Sequence, residues 1–170
     1  MKGLDKFCKI IGQNETVTIS KLGSDGGTIN VSFKIKDGAT VDQILNIERN
    51  IGLSLPYSFK KFLRKFNGAR IYDYDGIDGF LIYGTEDIEK INKFAKATFE
   101  EDWLDQLLVF AKYIGESNYL AFDTSNSNNY VIDCFFEELP IEWVSIEPDF
   151  DIFLSHLIDE NGNKYWLYNE

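Results

Sequence analysis

The spacing of apolar residues along the chain predicts five helices. Apolar side chains three and four positions apart fall on one face of a helix. Such faces occur over residues 4–11, 41–45, 59–66, 88–95 and 150–158. The third is the clearest, because its opposite face is basic: Lys60, Lys61, Arg64 and Lys65.

Capping residues predict where three of these helices begin and end. Thr40 is the expected N-cap of the second helix, whose apolar face holds Val41, Ile44 and Leu45. Pro56 suits the start of the third helix, and Asn67-Gly68 predicts its end. Thr85 is the expected N-cap of the fourth.

Alternating and β-branched segments predict the strands. They cover residues 16–19, 28–35, 80–83, 107–114, 119–123, 130–135 and 143–146. Polar runs at 24–27 and 124–129 predict turns, and the aspartate-rich stretch 73–78 predicts a loop. The tail 164–168 suits either a terminal strand or a cover docked on the core. The mixture of elements predicts an α+β fold.

Length and composition favour one domain of 170 residues with a real core, 44% of its residues being hydrophobic. We treat residues 1–39 as a lead-in of the same domain and 40–170 as its main part. Cys8 and Cys134 form no metal-binding or redox spacing, which favours a reducing compartment. No apolar run approaches the roughly 18–20 residues of a membrane helix, so we expect a cytoplasmic protein.

The charge is distributed unevenly. Residues 1–72 hold 12 basic and 6 acidic side chains, whereas residues 73–170 hold 5 basic and 22 acidic ones. A surface this acidic repels nucleic acid and anionic membranes and attracts basic partners.

Candidate catalytic groups are few, and we expect no catalytic, cofactor or metal site. His156 is the single histidine, and Cys134 lies within a predicted apolar strand. Two segments starting at Asp73 and Asp123 begin like calcium loops, but Gly84 and Cys134 stand where each needs its final glutamate. A small hydrolase using His156 or Asp123 is the weakest alternative.

Acidic residues interleaved with aromatic ones form two clusters in the second half. Large aromatic anchors beside charge are typical of protein interfaces, and carboxylates steer basic partners inward. The expected partner-binding residues are Glu100, Glu101, Asp102, Trp103, Asp105, Phe136, Glu137 and Glu138. The alternative is that Trp103 and Phe135 are core residues and the acids only a solvated rim.

One segment resembles the signature of the SUKH superfamily (the Smi/Knr type). It reads Glu48-x-x-Ile51-Gly52-x-x-Leu55-Pro56-x-x-Phe59-x-x-Phe62-Leu63-x-x-x-Asn67-Gly68. Further matches follow in order at Asp87-Ile88, Asn92, 114–123 and 150–154. The sequence departs from the pattern at 116–118, where the family shows more glycine, and the lead-in hairpin falls outside the resemblance.

The resemblance implies helices packed on a mostly antiparallel sheet, with a binding role and no active site. In bacteria that role is to bind and block a cognate protein toxin, often a nuclease with a basic cleft. A regulatory scaffold like the yeast cell-wall-synthesis regulators is the alternative. The sequence leaves a homo-oligomer open.

Overall fold

The computed structural model describes residues 1–23, 26–125 and 130–168. Within these residues the chain forms five α-helices: α1 (Lys2–Ile11), α2 (Val41–Ile51), α3 (Tyr57–Lys65), α4 (Thr85–Phe99) and α5 (Phe150–Asp159). Short 3₁₀ turns cover Glu100–Asp102, Pro140–Glu142 and Tyr165–Tyr168.

Eight strands form one antiparallel sheet in the order of the sequence. They are β1 (Thr16–Leu22), β2 (Thr28–Asp37), β3 (Phe66–Tyr74), β4 (Asp78–Ile82), β5 (Leu107–Tyr113), β6 (Tyr119–Asp123), β7 (Tyr130–Cys134) and β8 (Val144–Glu147). Each strand pairs with the next, so β1 and β8 are the two edges of the sheet. The predicted α+β class and its mostly antiparallel sheet are confirmed.

Phenylalanine rings fill the space between the sheet and the helices. Phe110 stacks on Phe122 with ring centroids 4.1 Å apart, and Phe150 packs edge to face on Phe59 at 5.1 Å. All four rings are completely or almost completely buried. Full burial of a side chain this large stabilises the fold by about 1.5–3 kcal/mol.

α3 ends at Lys65, close to the predicted stop, but the predicted Asn67-Gly68 cap is wrong, because the chain passes directly from helix to strand. Asn67 and Gly68 belong to β3, which pairs with both β2 and β4. Long-range strand pairing has overridden the local helix-stop signal. Gly68 uses its positive φ of 95° inside the strand, where a Cβ would lie 2.8 Å from the backbone nitrogen of Gly84.

Asn67 also explains why the predicted cap of α4 is wrong. The N-cap position belongs to Gly84, and Thr85 is the first helical residue, without a side-chain cap of its own. The Thr85 N–H instead donates to Oδ1 of Asn67 at 2.8 Å. A side chain distant in sequence therefore supplies the cap.

The cap of α2 is confirmed, but its predicted apolar face is partly wrong. Thr40 Oγ1 accepts from the Gln43 N–H at 3.1 Å, and the Gln43 side chain accepts from the Thr40 N–H at 2.7 Å. Ile44 and Ile47 are the buried residues of this helix, whereas Val41 and Leu45 are exposed. The helix is therefore oriented so that Ile44 and Ile47, which lie about one turn apart, face the core.

The predicted loop at 73–78 is shorter in the structure: residues 75–77 form a turn, and the residues on either side belong to β3 and β4. β3 continues to Tyr74, and Asp73 is buried beside Arg70, whose Nε lies 2.7 Å from a carboxylate oxygen of Asp73. The predicted turns at 24–27 and 124–129 lie partly outside the described residues. In the tail, Trp166 packs on Phe153 at 5.9 Å, so the docked cover, not a strand, is what forms.

Candidate protein-binding surface

The two acidic–aromatic clusters come from different elements. The first, residues 99–105, contains the last residue of α4 and the 3₁₀ turn that follows it. The second, residues 135–138, follows β7. We call the eight predicted partner-binding residues, together with the aromatic side chains that pack against them, the acidic–aromatic surface. The eight residues are Glu100, Glu101, Asp102, Trp103, Asp105, Phe136, Glu137 and Glu138.

An aromatic cluster joins these two segments in space. The Phe99 ring lies 5.0 Å from that of Phe136 and 5.1 Å from that of Trp143, edge to face in both cases. Phe136 stacks on Trp143 with planes only 3° apart, and Trp103 meets Trp143 at 6.3 Å. The structure therefore brings the two acidic–aromatic clusters, which are far apart in the sequence, into contact.

The buried centre of the cluster is Trp143, which sequence reasoning did not include. Its indole N–H donates to the carbonyl of Phe135 at 3.0 Å, so its polar atom is satisfied within the fold. A fixed central ring holds Phe99, Trp103 and Phe136 in place around it. The proximity of Trp143 to the second cluster in sequence is the only signal that pointed to it.

Burial differs between the aromatic residues of the surface. Trp103 and Phe136 are half-buried and pack on the core, while Phe135 is 42% exposed. The alternative that treated Phe135 as core is therefore wrong, although Trp103 does contribute to packing. Half-buried aromatic residues of this kind leave one side exposed and anchor the other in the fold.

Most of the carboxylates on this surface have no internal partner. Glu100, Glu101, Asp102, Glu137 and Glu138 are all exposed, and among the described residues none of their side chains forms an ion pair or hydrogen bond. Asp105 differs, since it lies 2.7 Å from Lys96 Nζ. That pair is exposed and contributes at most about 1 kcal/mol, so it can be exchanged for a partner.

Exposed apolar side chains border the acids, and sequence reasoning missed them. Ile141 is 75% exposed, Val144 63% and Phe94 52%, with Leu139 also exposed. Phe94 stacks on Phe136 at 6.5 Å, and the other three lie in the segment that carries Trp143. The local signal was weak, because Leu139 and Ile141 flank Pro140 without any periodic pattern.

A groove of about 450 Å³ lies beside this segment. Its lining combines Phe135, Val144, Ile146, Trp166 and Leu167 with the carboxylates of Asp133 and Glu138. Asp133 is already engaged, since it accepts from the Tyr113 hydroxyl at 2.7 Å and from the Trp166 indole at 2.8 Å. Of the two carboxylates, Glu138 is therefore the one without a partner among the described residues.

Each candidate catalytic residue is either hydrogen-bonded to a neighbouring residue or buried in the core. His156 Nδ1 lies 2.6 Å from a carboxylate oxygen of Glu147, which also accepts from the Tyr165 hydroxyl. Burial, together with the nearby charge of Asp133, raises the pKa of the Cys134 thiol well above its usual value. Asp123 accepts from the Ser125 N–H, and in the described residues no hydrogen bond joins it to His156.

The first predicted calcium-like loop is held together by its own ion pair. Burial favours a higher pKa for Asp73, but hydrogen bonds from Arg70 and the Gly76 N–H, with the charges of Arg70 and Lys34, lower it overall. In the part of the chain that the structure describes, no group of three or more metal-ligating side chains converges. The second such loop includes residues outside the described ranges.

The basic face of α3 is engaged by local groups. Lys60 pairs with Glu48 at 3.0 Å, and Lys61 lies over the Tyr57 ring at 4.7 Å. Arg64 donates to the carbonyl of Ala39. These contacts occupy positive charges that would otherwise be free at this face.

The fold is that of a small α+β protein that carries the acidic–aromatic surface beside a groove. The sequence profile of the SMI1 / KNR4 family (SUKH-1) matches residues 38–156, and the chain belongs to this family. The match begins in the last residues before α2, so α1, β1 and β2 lie outside it. The resemblance to the SUKH superfamily is thereby confirmed.

Two curated relatives come from Bacillus subtilis (strain 168). The chain is 25% identical to the uncharacterized protein YnaB over 143 residues, which cover 82% of this chain and 90% of YnaB. It is 28% identical to the uncharacterized protein YobM over 141 residues, covering 77% of this chain and 71% of YobM.

Among the helices of the described residues, none has the length and apolar character to cross a membrane.

Proposed function

We propose that this protein is a bacterial immunity protein that binds a cognate toxin and neutralises it. The partner is a nuclease domain with a basic substrate cleft, and binding takes place in the cytoplasm. The protein contributes no chemistry of its own, because blocking the cleft is enough. The observation that carries the proposal is a set of unpaired carboxylates around a packed aromatic cluster.

Unpaired carboxylates suit this task for electrostatic reasons. A nuclease cleft is built to hold phosphates, and carboxylates at Glu100, Glu101 and Asp102 present negative charge in a comparable density. Opposite potentials speed diffusional encounter and disfavour partners of the wrong charge. Since these three carboxylates have no cationic partner within the described part of the chain, a basic partner meets them without first breaking an ion pair.

The aromatic cluster supplies the second requirement, a rigid base. Side chains that are already ordered lose less conformational entropy on binding than flexible ones. Trp103 and Phe136 are held by Trp143, and exposed apolar residues such as Ile141 and Phe94 add area that excludes water. Affinity then comes from apolar contact and specificity from charge.

Co-expression with a toxin tests the proposal directly. The probe is the toxin domain encoded beside this protein's gene, produced from an inducible promoter in a bacterial host. We expect cells that also make this protein to survive, and the two proteins to purify as a complex. Death of the cells and no complex at any salt concentration would overturn the proposal.

A matched pair of variants separates surface contact from general charge. Glu101→Lys with Trp103→Ala alters the acidic–aromatic surface, while Glu15→Lys changes an exposed glutamate near the other edge of the sheet. We expect the first variant to lose protection and the second to keep it. A stable complex in the absence of any protection would instead favour a regulatory scaffold of the cell-wall-synthesis type.

A further inference from the structure

The outer edge of β8 is open to a further strand. β8 is the last strand of the sheet, and its register to β7 places Val144 opposite Asp133 and Ser145 opposite Ile132. Backbone groups on the far side of an edge strand have no ladder partner. Among the described residues, no backbone hydrogen bond from outside the sheet reaches residues 144–147.

The terminal 3₁₀ turn does not cover this edge. Trp166 donates to Asp133 of β7 and packs on Phe80 and Tyr113, which places the turn over the face of the sheet. Its neighbour Leu167 is 56% exposed and forms one wall of the groove beside Val144 and Ile146. The groove therefore continues from the sheet face to the open edge.

β8 lacks the features that usually protect an edge strand. Natural edges carry lysine, proline or other charge within the strand to prevent pairing with another chain. Val144-Ser145-Ile146 contains none of these, and its acidic residue, Glu147, is tied to His156 and Tyr165. The opposite edge is different, since β1 exposes the polar side chains Thr16, Thr18 and Ser20.

Charge around the edge identifies the kind of strand that fits. Among the residues that the structure describes, Glu137 and Glu138 are exposed without an internal partner, and Glu142 accepts one hydrogen bond, from the Leu139 N–H at 3.1 Å. The same segment carries the exposed apolar side chains of Leu139, Ile141 and Val144. A complementary segment alternates basic and apolar residues, because successive side chains of a strand point to opposite faces.

We propose that the toxin binds partly through an extended segment of alternating basic and apolar residues, which adds a ninth strand beside β8. Backbone hydrogen bonds to β8 provide affinity, and the groove and the glutamates select the side chains. This inference rests on the proposed function, and it specifies how the partner engages the acidic–aromatic surface.

Hydrogen exchange of the complex tests the inference. The amides of residues 144–147 are followed by mass spectrometry in the free protein and in its complex with the neighbouring toxin domain. We expect strong additional protection in residues 144–147, with none in β1. Absence of binding would overturn the proposed function and this inference with it; binding without added protection of β8 would overturn only the inference.

A matched pair of lysine substitutions provides a second, independent measurement. Val144→Lys places a charge on the open edge, and Leu22→Lys makes the same change at the other edge, where Leu22 is 72% exposed. We expect Val144→Lys to weaken binding of the toxin domain about tenfold or more and Leu22→Lys to leave it unchanged. Equal affinity of both variants, with unchanged melting temperatures, would contradict strand addition.

Discussion

Phe99 and Phe136 meet edge to face, with ring centroids 5.0 Å apart and planes at 83°. The contact fastens the end of α4 to the segment that follows β7. Because acidic residues flank both rings, this contact, together with those of Trp143, helps to fix how carboxylates from two distant parts of the chain are arranged. A substitution here should therefore affect both the fold and the shape of the surface.

Removal of the Phe136 ring is expected to weaken both the fold and the surface. Phe136→Ala removes contacts with Phe99, Trp143 and Tyr119, and should lower the free energy of unfolding by about 2–4 kcal/mol. Urea denaturation measures this loss. The control is Phe135→Ala, whose exposed ring should contribute less than about 1 kcal/mol. Equal losses in the two variants would contradict the arrangement of the cluster.

Asn92 fastens α4 to the sheet through a bidentate contact. Its amide donates to the Val109 carbonyl at 2.9 Å, and its Oδ1 accepts from the Val109 N–H at 2.8 Å. Asn92→Ala leaves both backbone groups unsatisfied at a buried residue, so we expect a loss of about 2–4 kcal/mol in unfolding free energy.

Asn50→Ala is the control for this substitution. Among the described residues the Asn50 side chain bonds the carboxylate of Glu89 alone, at an exposed site, so its removal should cost less than about 0.5 kcal/mol. If thermal and urea denaturation give the same stability for Asn92→Ala as for Asn50→Ala, the fastening role of Asn92 is wrong.

The Asp73–Arg70 pair makes stability depend on acid pH. The pKa of Asp73 is lowered in the folded protein, so the folded state favours the ionised carboxylate. The stabilisation is complete above the ordinary aspartate pKa of about 3.9 and is lost as the pH falls through the lower, folded-state pKa.

Asp73→Asn should therefore make the melting temperature depend less on pH in the acid range. We expect melting temperatures of the variant and the wild type to differ most above about pH 5 and to converge near pH 2–3. Asp75→Asn, at an exposed carboxylate without a partner among the described residues, should follow the wild type throughout. A parallel offset at all pH values would show that the ion pair makes no pH-dependent contribution.

Phe62 tests the assignment of the buried face of α3. Its ring is fully buried and packs on Phe7, Phe66 and Phe150. Phe62→Ala should cost about 3–5 kcal/mol because it leaves a cavity. Tyr57→Ala, on the same helix but 68% exposed, should change the melting temperature only slightly. An unchanged melting temperature in Phe62→Ala would contradict the assignment.

The helices were predictable because their apolar spacing and capping residues are local signals. Thr40 with Gln43 is an example, since both partners lie within one turn. β3 was not predictable in the same way, because Asn67-Gly68 carries a strong local turn signal that only pairing with β2 and β4 overrides. The capping of Thr85 by Asn67 likewise depends on contact across the fold.

The candidate site was predictable in composition but not in shape. The acids and Trp103 stood out in the sequence because charge beside large aromatic residues is unusual. The packing of β7, β8 and α4 brings the two clusters together at Trp143. The same packing leaves Ile141 and Val144 exposed. No local pattern encodes that packing.

The most direct measurement of the central claim is the dissociation constant of the complex with the neighbouring toxin domain after charge reversal. Glu101→Lys with Glu138→Lys removes two free carboxylates from the surface; Glu15→Lys with Asp37→Lys makes the same change in net charge at exposed positions of β2 and the turn before β1. At a salt concentration of about 0.15 M, we predict at least about tenfold weaker binding for the first pair, through slower association, and wild-type binding for the second. Equal dissociation constants for the two pairs would contradict a toxin-binding role for the acidic–aromatic surface.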